Sequence, residues 1–378
     1  MRAAVLVDVN RIEVRDVPRA VLAPHEVRVR VGAVGLCGTD VHIVEGHANY
    51  HRDAHGRVVP LASCPQILGH EIAGEVVEIG ADARGVRVGE RVIVDQGRTC
   101  VGERRTPVCE YCATGDSHQC EWYAEHGITG LPGGFAEEIV VPAANVVPLA
   151  SDLDLLRAAL AEPLGCVVHS TETVLRAPSR YRLAGDAAAV RTVVLCGAGP
   201  SGLLFVQYLR NVLGFDGTLL VSEPSARRRV LAERFGGETI DPTSTPLADA
   251  VRDRTEGRMA ELLIDASGAG AVIAAVPELV RKQGTVLFYA HGHAGVDLSV
   301  MNGVQFLEPT MLSPCGASGG FEPDGRPTTY VRALRMIESG RIDVGSLVTH
   351  RYHSLDAVPQ AFAGDHRLPE YVKGVVVL

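Results

Sequence analysis

Four of the chain's nine cysteines fall in one stretch, "TCVGERRTPVCEYCATGDSHQC", from Thr99 to Cys120. Cys109, Cys112 and Cys120 are spaced C-x2-C-x7-C, and Cys100 stands nine positions before Cys109. In a reducing compartment, clustered thiols point to a metal before a disulfide. A second set lies upstream. "GLCGTDVH" at residues 35–42 offers a thiolate (Cys37), a hydroxyl (Thr39), a carboxylate (Asp40) and an imidazole (His42). "GHE" at 69–71 adds His70 and Glu71. Cys37 and His70 are soft and borderline ligands suited to zinc. Each alone has an equally good structural reading, as a buried small thiol and a hydrogen-bonded histidine.

A third constellation is glycine-rich. "RTVVLCGAGPSGLLFVQYLRNVLG" carries Gly197-x-Gly199-x-x-Gly202 directly after an apolar strand, with Pro200 opening the helix that follows. Gly197 permits the tight turn, Gly199 lets backbone approach a pyrophosphate, and Gly202 lets helix lie on strand. The next strand, "TLLVSE", puts Glu223 21 residues after Gly202, where a carboxylate can accept from a ribose 2′-OH. A dinucleotide site is expected. Glu223 would repel a 2′-phosphate and so favours NAD, while Arg227 and Arg228 just beyond it leave NADP possible.

The elements that must position these residues differ along the chain. Residues 1–150 hold short alternating runs such as "HEVRVRVGAVG" and "GERVIV", the pattern of half-buried strands. From about Ala158 to Gly295, helix-like runs alternate with apolar strands ("TVVLCG", "TLLVSE", "ELLIDAS", "TVLFYA"), the rhythm of a doubly wound parallel sheet. After Glu308 the pattern is mixed again, and "YVKGVVVL" closes it as a strand. This order predicts one domain interrupted by another: residues 1–157 with 309–378, and residues 158–308. A length of 378 residues agrees with two cores. The composition, 46% apolar and 21% charged, is that of a globular protein, and the net charge of −9 argues against nucleic acid or an anionic membrane as partner. No run approaches the roughly 18 apolar residues of a membrane span, and the N-terminus reads as strand, so a cytoplasmic location is expected.

Taken together, "GLCGTDVH", "ILGHEIAGEVVEIG", the cysteine cluster, "GGFAEEIVVP", "AEPLGCVVHS", "VVLCGAGPSGLL" and "IDASG" resemble the zinc-dependent medium-chain dehydrogenases, in particular the polyol, threonine and butanediol dehydrogenase branch. The resemblance spans nearly the whole chain. It implies an α/β protein, with a GroES-like, mostly-β catalytic domain and a Rossmann domain. It also implies hydride transfer between NAD(H) and a secondary alcohol or ketone, two zinc ions per subunit, and a homodimer or homotetramer.

Residue by residue, the resemblance implies that Cys37 and His70 bind a catalytic zinc. Glu162, in "AEPL", would supply a third protein ligand or hold the zinc-bound water, with Cys166 as its rival. Glu71 is a neighbouring carboxylate able to approach the metal, and Asp40 orients the zinc histidine. Thr39 and His42 would carry the alcohol proton outward, since a proton must leave a dry pocket through a relay. The family's structural zinc is held by C-x2-C-x2-C-x7-C, and here the first of those positions is Thr106, which is no zinc ligand. Cys100 can replace it if the intervening loop returns the chain. The rivals are three thiolates completed by His118, or a lobe without metal.

The segment "EGHANYHRDAHGRVVPLASCPQ" between the two zinc motifs looks longer than usual. His47, His51 and His55 recur every fourth residue, so on a helix they would share a face and suggest a third metal. A solvated loop accounts for them better, since no adjacent cysteine or paired carboxylate helps a metal, and a third reading has His51, Arg52 or Arg57 bind a hydroxyl-rich or anionic substrate. The leading expectation is a polar polyol or cyclitol dehydrogenase. Its alternatives are an amino- or phospho-cyclitol dehydrogenase or reductase of a biosynthetic route, and a non-catalytic zinc- and nucleotide-binding protein.

Overall fold

The structure, a computed structural model, describes residues 1–183 and 189–378. The chain forms two compact units: Met1–Gly165 with Ala317–Gly340 and Val344–Leu378, and Cys166–Gly316 with Arg341–Asp343. The second unit thus runs from 166 to 316, where the sequence pattern suggested 158 to 308. The helix Ala161–Arg176 opens within the first unit, whose Ala317 and Thr329 lie so close to Gly165 that a Cβ there would be 3.0 Å from Ala317.

The first unit is built on a seven-stranded sheet. Its central strand, Glu26–Gly35, is flanked by Glu71–Ile79 on one side and Lys373–Val377 on the other, both antiparallel to it. Gly35 pairs with Glu71 on one edge and with Val375 on the other. The end of the central strand and the starts of its two neighbours therefore meet at one place. Val27, Val29 and Val31 point their side chains into a core shared with Leu6, Ile43, Ile72 and Phe135, with the Phe135 and Phe362 rings edge to face at 5.7 Å. That alternation is the period-two signature read from "EVRVRVGAVG".

The second unit holds a six-stranded, all-parallel sheet in the order Glu238–Ile240, Thr218–Ser222, Thr192–Cys196, Ala260–Asp265, Val280–Phe288, Thr310–Leu312. Every residue of Thr192–Cys196 is buried, as expected of a strand covered on both faces. Chain order reverses between this strand and Ala260–Asp265, and ligands of such sheets bind beyond the strand C-termini at that point. Among the described residues, no helix is long and apolar enough to cross a membrane.

Candidate active site

The meeting point of the three strands in the first unit carries the first candidate metal site. Cys37 caps the helix Gly38–Val44, and His70 immediately precedes the strand Glu71–Ile79. Ligand atoms of Cys37, His70 and Glu71 lie within 4.8 Å of one another. Asp40, fully buried, ties the set together: its carboxylate accepts from the Cys37 N–H at 3.0 Å and the Gly69 N–H at 3.2 Å. The same carboxylate lies 3.4 Å from His70 Nδ1, a charge contact rather than an aligned hydrogen bond. Burial works against a proton on His70, but the charges of Asp40 and Cys37 outweigh it and raise its pKa well above the ordinary histidine value.

Glu71 is held by a residue the sequence did not single out. Lys373 Nζ donates to Glu71 Oε1 at 2.5 Å and to the Leu36 carbonyl at 2.8 Å. Glu71 Oε2 lies over Gly35, where a Cβ would come within 1.9 Å of it, so only glycine fits. That oxygen and His70 Nδ1 are buried polar atoms without a hydrogen-bond partner among the described residues. Nδ1 faces the Asp40 carboxylate and so carries the ring proton, which leaves the orphaned Glu71 oxygen and the other ring nitrogen of His70 beside the Cys37 thiol, a set of carboxylate oxygen, nitrogen and sulfur that suits zinc.

Thr39 and His42 lie on the same short helix, three residues apart and both partly exposed, so they share a face. Glu162 is buried but lies outside the Cys37–His70–Glu71 group. Gln96 Nε2 donates to Glu162 Oε1 at 3.1 Å, and Tyr330 Oη donates to Gln96 Oε1. Gln96 and Tyr330 carried no signal in the sequence, because they reach Glu162 from two distant segments.

The cysteine cluster is complete. Cys100, Cys109, Cys112 and Cys120 are all buried, with sulfurs within 4.8 Å of one another. The Cys100–Cys109 and Cys109–Cys120 sulfur distances are 3.7 and 3.8 Å. Disulfide sulfurs stand about 2.05 Å apart, whereas four thiolates at about 2.3 Å from a central zinc have tetrahedron edges of about 3.8 Å. The geometry fits zinc. Backbone N–H groups of Cys100 and Cys109 donate to the sulfurs of Cys120 and Cys100, which favours thiolates. Burial opposes ionisation of Cys109, but hydrogen bonds from the Cys112 and Glu121 backbone outweigh it and bring its pKa down to about 7. His118 stands apart from the sulfurs, 3.5 Å from Asp95 and stacked on Tyr123.

The segment after His42 forms a turn rather than a helix. Arg52 and Val58 pair as a β-bridge, and the Asp53 carboxylate caps the turn between them by accepting from the His55 and Arg57 N–H groups. The shared imidazole face expected of a helix is absent, and among the described residues His47, His51 and His55 belong to no metal-type group. Arg57 pairs with Asp53 at 2.7 Å, while Arg52 is exposed. His51 lies so close to Gly130 (φ +98°) that a Cβ there would come within 2.5 Å of its ring. Gly130's loop folds back on the residues before His70, with Gly134 N–H donating to the Gly69 carbonyl at 2.7 Å.

In the second unit, Gly197 takes φ +94° at the C-terminal end of Thr192–Cys196, and a Cβ on Gly202 would lie 2.0 Å from the Gly197 carbonyl. Gly199 caps the helix Pro200–Gln207 and faces open space, which leaves a cradle for phosphate at the helix N-terminus. Glu223 is buried at the end of the next strand, accepting from Ala198 N–H at 2.8 Å and Ser225 N–H at 2.9 Å. Ser225 also caps the helix Ala226–Arg234 that carries Arg228. Arg229 braces this corner: it donates to the Glu223 and Pro224 carbonyls and pairs with Asp241 at 3.0 Å.

Comparison with known proteins agrees with both units. Residues 23–151 match the alcohol dehydrogenase GroES-like domain and residues 200–338 the zinc-binding dehydrogenase domain. L-threonine 3-dehydrogenase of Pyrococcus furiosus is 32% identical over 92% of this chain and 89% of its own. 2-Dehydro-3-deoxy-L-galactonate 5-dehydrogenase of Pseudoalteromonas atlantica is 34% identical over 93% and 91%. A zinc-binding dehydrogenase of Sinorhizobium meliloti solved with NADP superposes with a TM-score of 0.80, covering 100% of this chain and 99% of that one at 27% identity. The chain belongs to the zinc-binding medium-chain alcohol dehydrogenases, enzymes that use zinc and a nicotinamide cofactor to oxidise alcohols or reduce carbonyls.

Proposed function

We propose that the enzyme oxidises a secondary alcohol of a polar polyol, cyclitol or sugar acid, with NAD as preferred cofactor, at the Cys37–His70–Glu71 site. The observation that carries this reading is the buried Asp40 carboxylate, which fixes the Cys37 backbone and faces His70 from a helix that also carries Thr39 and His42. Bound zinc supplies a Lewis acid that eases deprotonation of an alcohol, and bound NAD supplies the hydride acceptor. Cys37, His70 and either Glu71 or Glu162 would hold that zinc. Thr39 accepts the alcohol proton through its hydroxyl and passes it towards His42, which is partly exposed and can release it to water. Gln96 and Tyr330 fix one oxygen of Glu162, so its other oxygen is presented in a defined direction. The names of similar proteins, a threonine, a sugar-acid and a sorbitol dehydrogenase, support a substrate with several polar groups. An exposed Arg52 in the loop that also sets His51 against Gly130 suits hydroxyl or carboxylate recognition. An amino- or phospho-cyclitol remains the second substrate reading, on the same side chains.

The test is nicotinamide absorbance with a panel of polyols, cyclitols, sugar acids, threonine and 2,3-butanediol. Thr39→Val should lower kcat by about 10²- to 10⁴-fold on the best substrate while leaving NAD affinity unchanged, since only proton removal is lost. His42→Ala should be milder, because water can take its place. Turnover preserved in Thr39→Val would remove the relay. Glu162→Ala should lose activity and bound zinc while the fold survives at a cost of about 1–3 kcal/mol, the price of leaving Gln96 unpaired.

Glu223 makes NAD the preferred cofactor in this proposal, since both its oxygens are fixed by backbone amides and cannot swing from a 2′-phosphate. A higher kcat/KM with NADP than with NAD would instead give the ribose site to Arg227 or Arg228. The proposal also places the enzyme in the cytoplasm, which its nine free thiols support. Assembly as a homodimer or homotetramer is supported by exposed Met311 on the free edge strand Thr310–Leu312.

A further inference from the structure

The second unit carries a cavity that the dehydrogenase reaction does not use. Its volume is about 640 Å³, within the range of small-molecule sites. Its walls come from the residues that lead into three parallel strands: Met259 before Ala260–Asp265, Val280 at the start of Val280–Phe288, and Glu308 before Thr310–Leu312. The cavity is therefore at the N-terminal edge of the sheet. The Gly197 turn follows a strand C-terminus and lies at the opposite edge. Nucleotide binding there leaves this cavity free.

Its charge runs against that of the protein. Arg180, Arg258, Arg281 and Lys282 line it, against one lining carboxylate, Glu308, in a chain of net charge −9. A buried carboxylate behind the wall, Glu261, accounts for only part of this excess. Glu261 accepts from the Arg191 and Thr192 N–H groups at 3.2 and 2.9 Å and from Arg281 Nη1 at 3.2 Å, with Arg258 at 3.6 Å. With two amides and two guanidinium groups it is already compensated. Arg180 and Lys282 therefore add positive charge that pairs with no carboxylate among the described residues.

The cations are also held in place. Arg281 lies 5.4 Å and Arg180 5.8 Å from the centre of the Tyr181 ring, within cation–π range, and Arg180 Nη1 donates to Gln283 Oε1 at 3.1 Å. Guanidinium groups fixed this way lose little freedom when they bind an anion, and their planar forks suit phosphate. The backbone around the cavity is strained as well. Met259, Gln283 and Glu308, all lining it, take φ of +60°, +58° and +47°, a conformation uncommon for residues with side chains. Such residues gather where a ligand site is shaped.

We propose that this cavity is a second anion site, for a small multivalent phosphate such as a phosphorylated metabolite, gripped by Arg180, Arg281 and Lys282. Inorganic pyrophosphate is the probe, titrated calorimetrically into enzyme already saturated with NAD so that the glycine turn is occupied. The expected result is one saturable site per chain. The double variant Arg180→Ala/Lys282→Ala should weaken it at least tenfold, and Lys282→Glu, at an exposed position, should do likewise without risk to the fold. A control of equal charge loss, Arg252→Ala/Arg254→Ala, removes exposed arginines paired with Asp249 and Glu238 and should change affinity less than twofold. No saturable binding, binding that the cavity variants leave intact, or equal weakening in the control would each overturn the proposal.

Discussion

Cys100→Ser should release about one zinc per chain, measured by elemental analysis after gel filtration, and should lower Tm before it lowers turnover of the molecules still folded. The Cys100–Cys109 and Cys109–Cys120 sulfurs sit at the separations of a zinc-filled tetrahedron, and Cys100 accepts from the Cys109 N–H while it lies in contact with Cys109. A serine hydroxyl neither reaches as far nor ionises, so three thiolates would remain around a weakened centre. Loss of a metal is among the few changes that cost more than about 4 kcal/mol, which at roughly 2–4 °C per kcal/mol lowers Tm by about 10 °C. Zinc content retained in full would mean that a protein group outside this tetrad completes the site. His118→Ala, by contrast, should retain the zinc, because His118 is engaged with Asp95 and Tyr123.

That prediction was only half legible in the sequence. The spacing of Cys109, Cys112 and Cys120 marked a metal lobe, but a loop of eight residues separates Cys100 from it, and loop closure is invisible to a spacing rule. The nucleotide turn was readable because its demands are local: a φ of +94° at Gly197 and a 2.0 Å approach at Gly202 tolerate nothing but glycine. The strands of the second unit were readable because burial on both faces leaves continuous apolar runs. The histidines at 47, 51 and 55 read as a solvated loop in preference to a metal-binding helix face, because a period of four alone says nothing about turn chemistry. Asp53 accepting from the N–H groups of His55 and Arg57, with Gly56 at φ +74°, closes a turn there. Lys373 was illegible for a different reason. It is a single charge ahead of the apolar "GVVVL", and only the pairing of the last strand with Glu26–Gly35 brings it beside Glu71.

Lys373→Met should be the most damaging single change at the candidate catalytic centre among residues that are not themselves proposed ligands. Lys373 and Glu71 are both almost wholly buried, and the ammonium is the only cation bonded to that carboxylate among the described residues. Removing one partner of a buried pair leaves the other uncompensated, at a cost of about 3–5 kcal/mol. Glu71 has no escape, since Gly35 lies hard against its second oxygen. Burial alone would lower the Lys373 pKa, but the charges of Glu71 and Cys37 outweigh it and raise it above the ordinary lysine value. A raised folded-state pKa gives a contribution fully present below the unfolded value of roughly 10.4 and lost only as pH climbs through the folded one. In the wild type, the Lys373 contribution should therefore be flat from about pH 7 to pH 9. Denaturant unfolding of zinc-stripped and zinc-loaded protein makes the prediction specific. In the stripped protein the full loss should appear, whereas in the loaded protein a zinc ion near Glu71 can take over part of the compensation, and the loss should shrink by at least half. Lys373→Arg, which keeps the charge but not the shape, should recover part of the stability in both forms. A loss of under about 1 kcal/mol in the stripped protein would show that the pair is not what holds Glu71; equal losses with and without zinc would place Glu71 outside the reach of the metal.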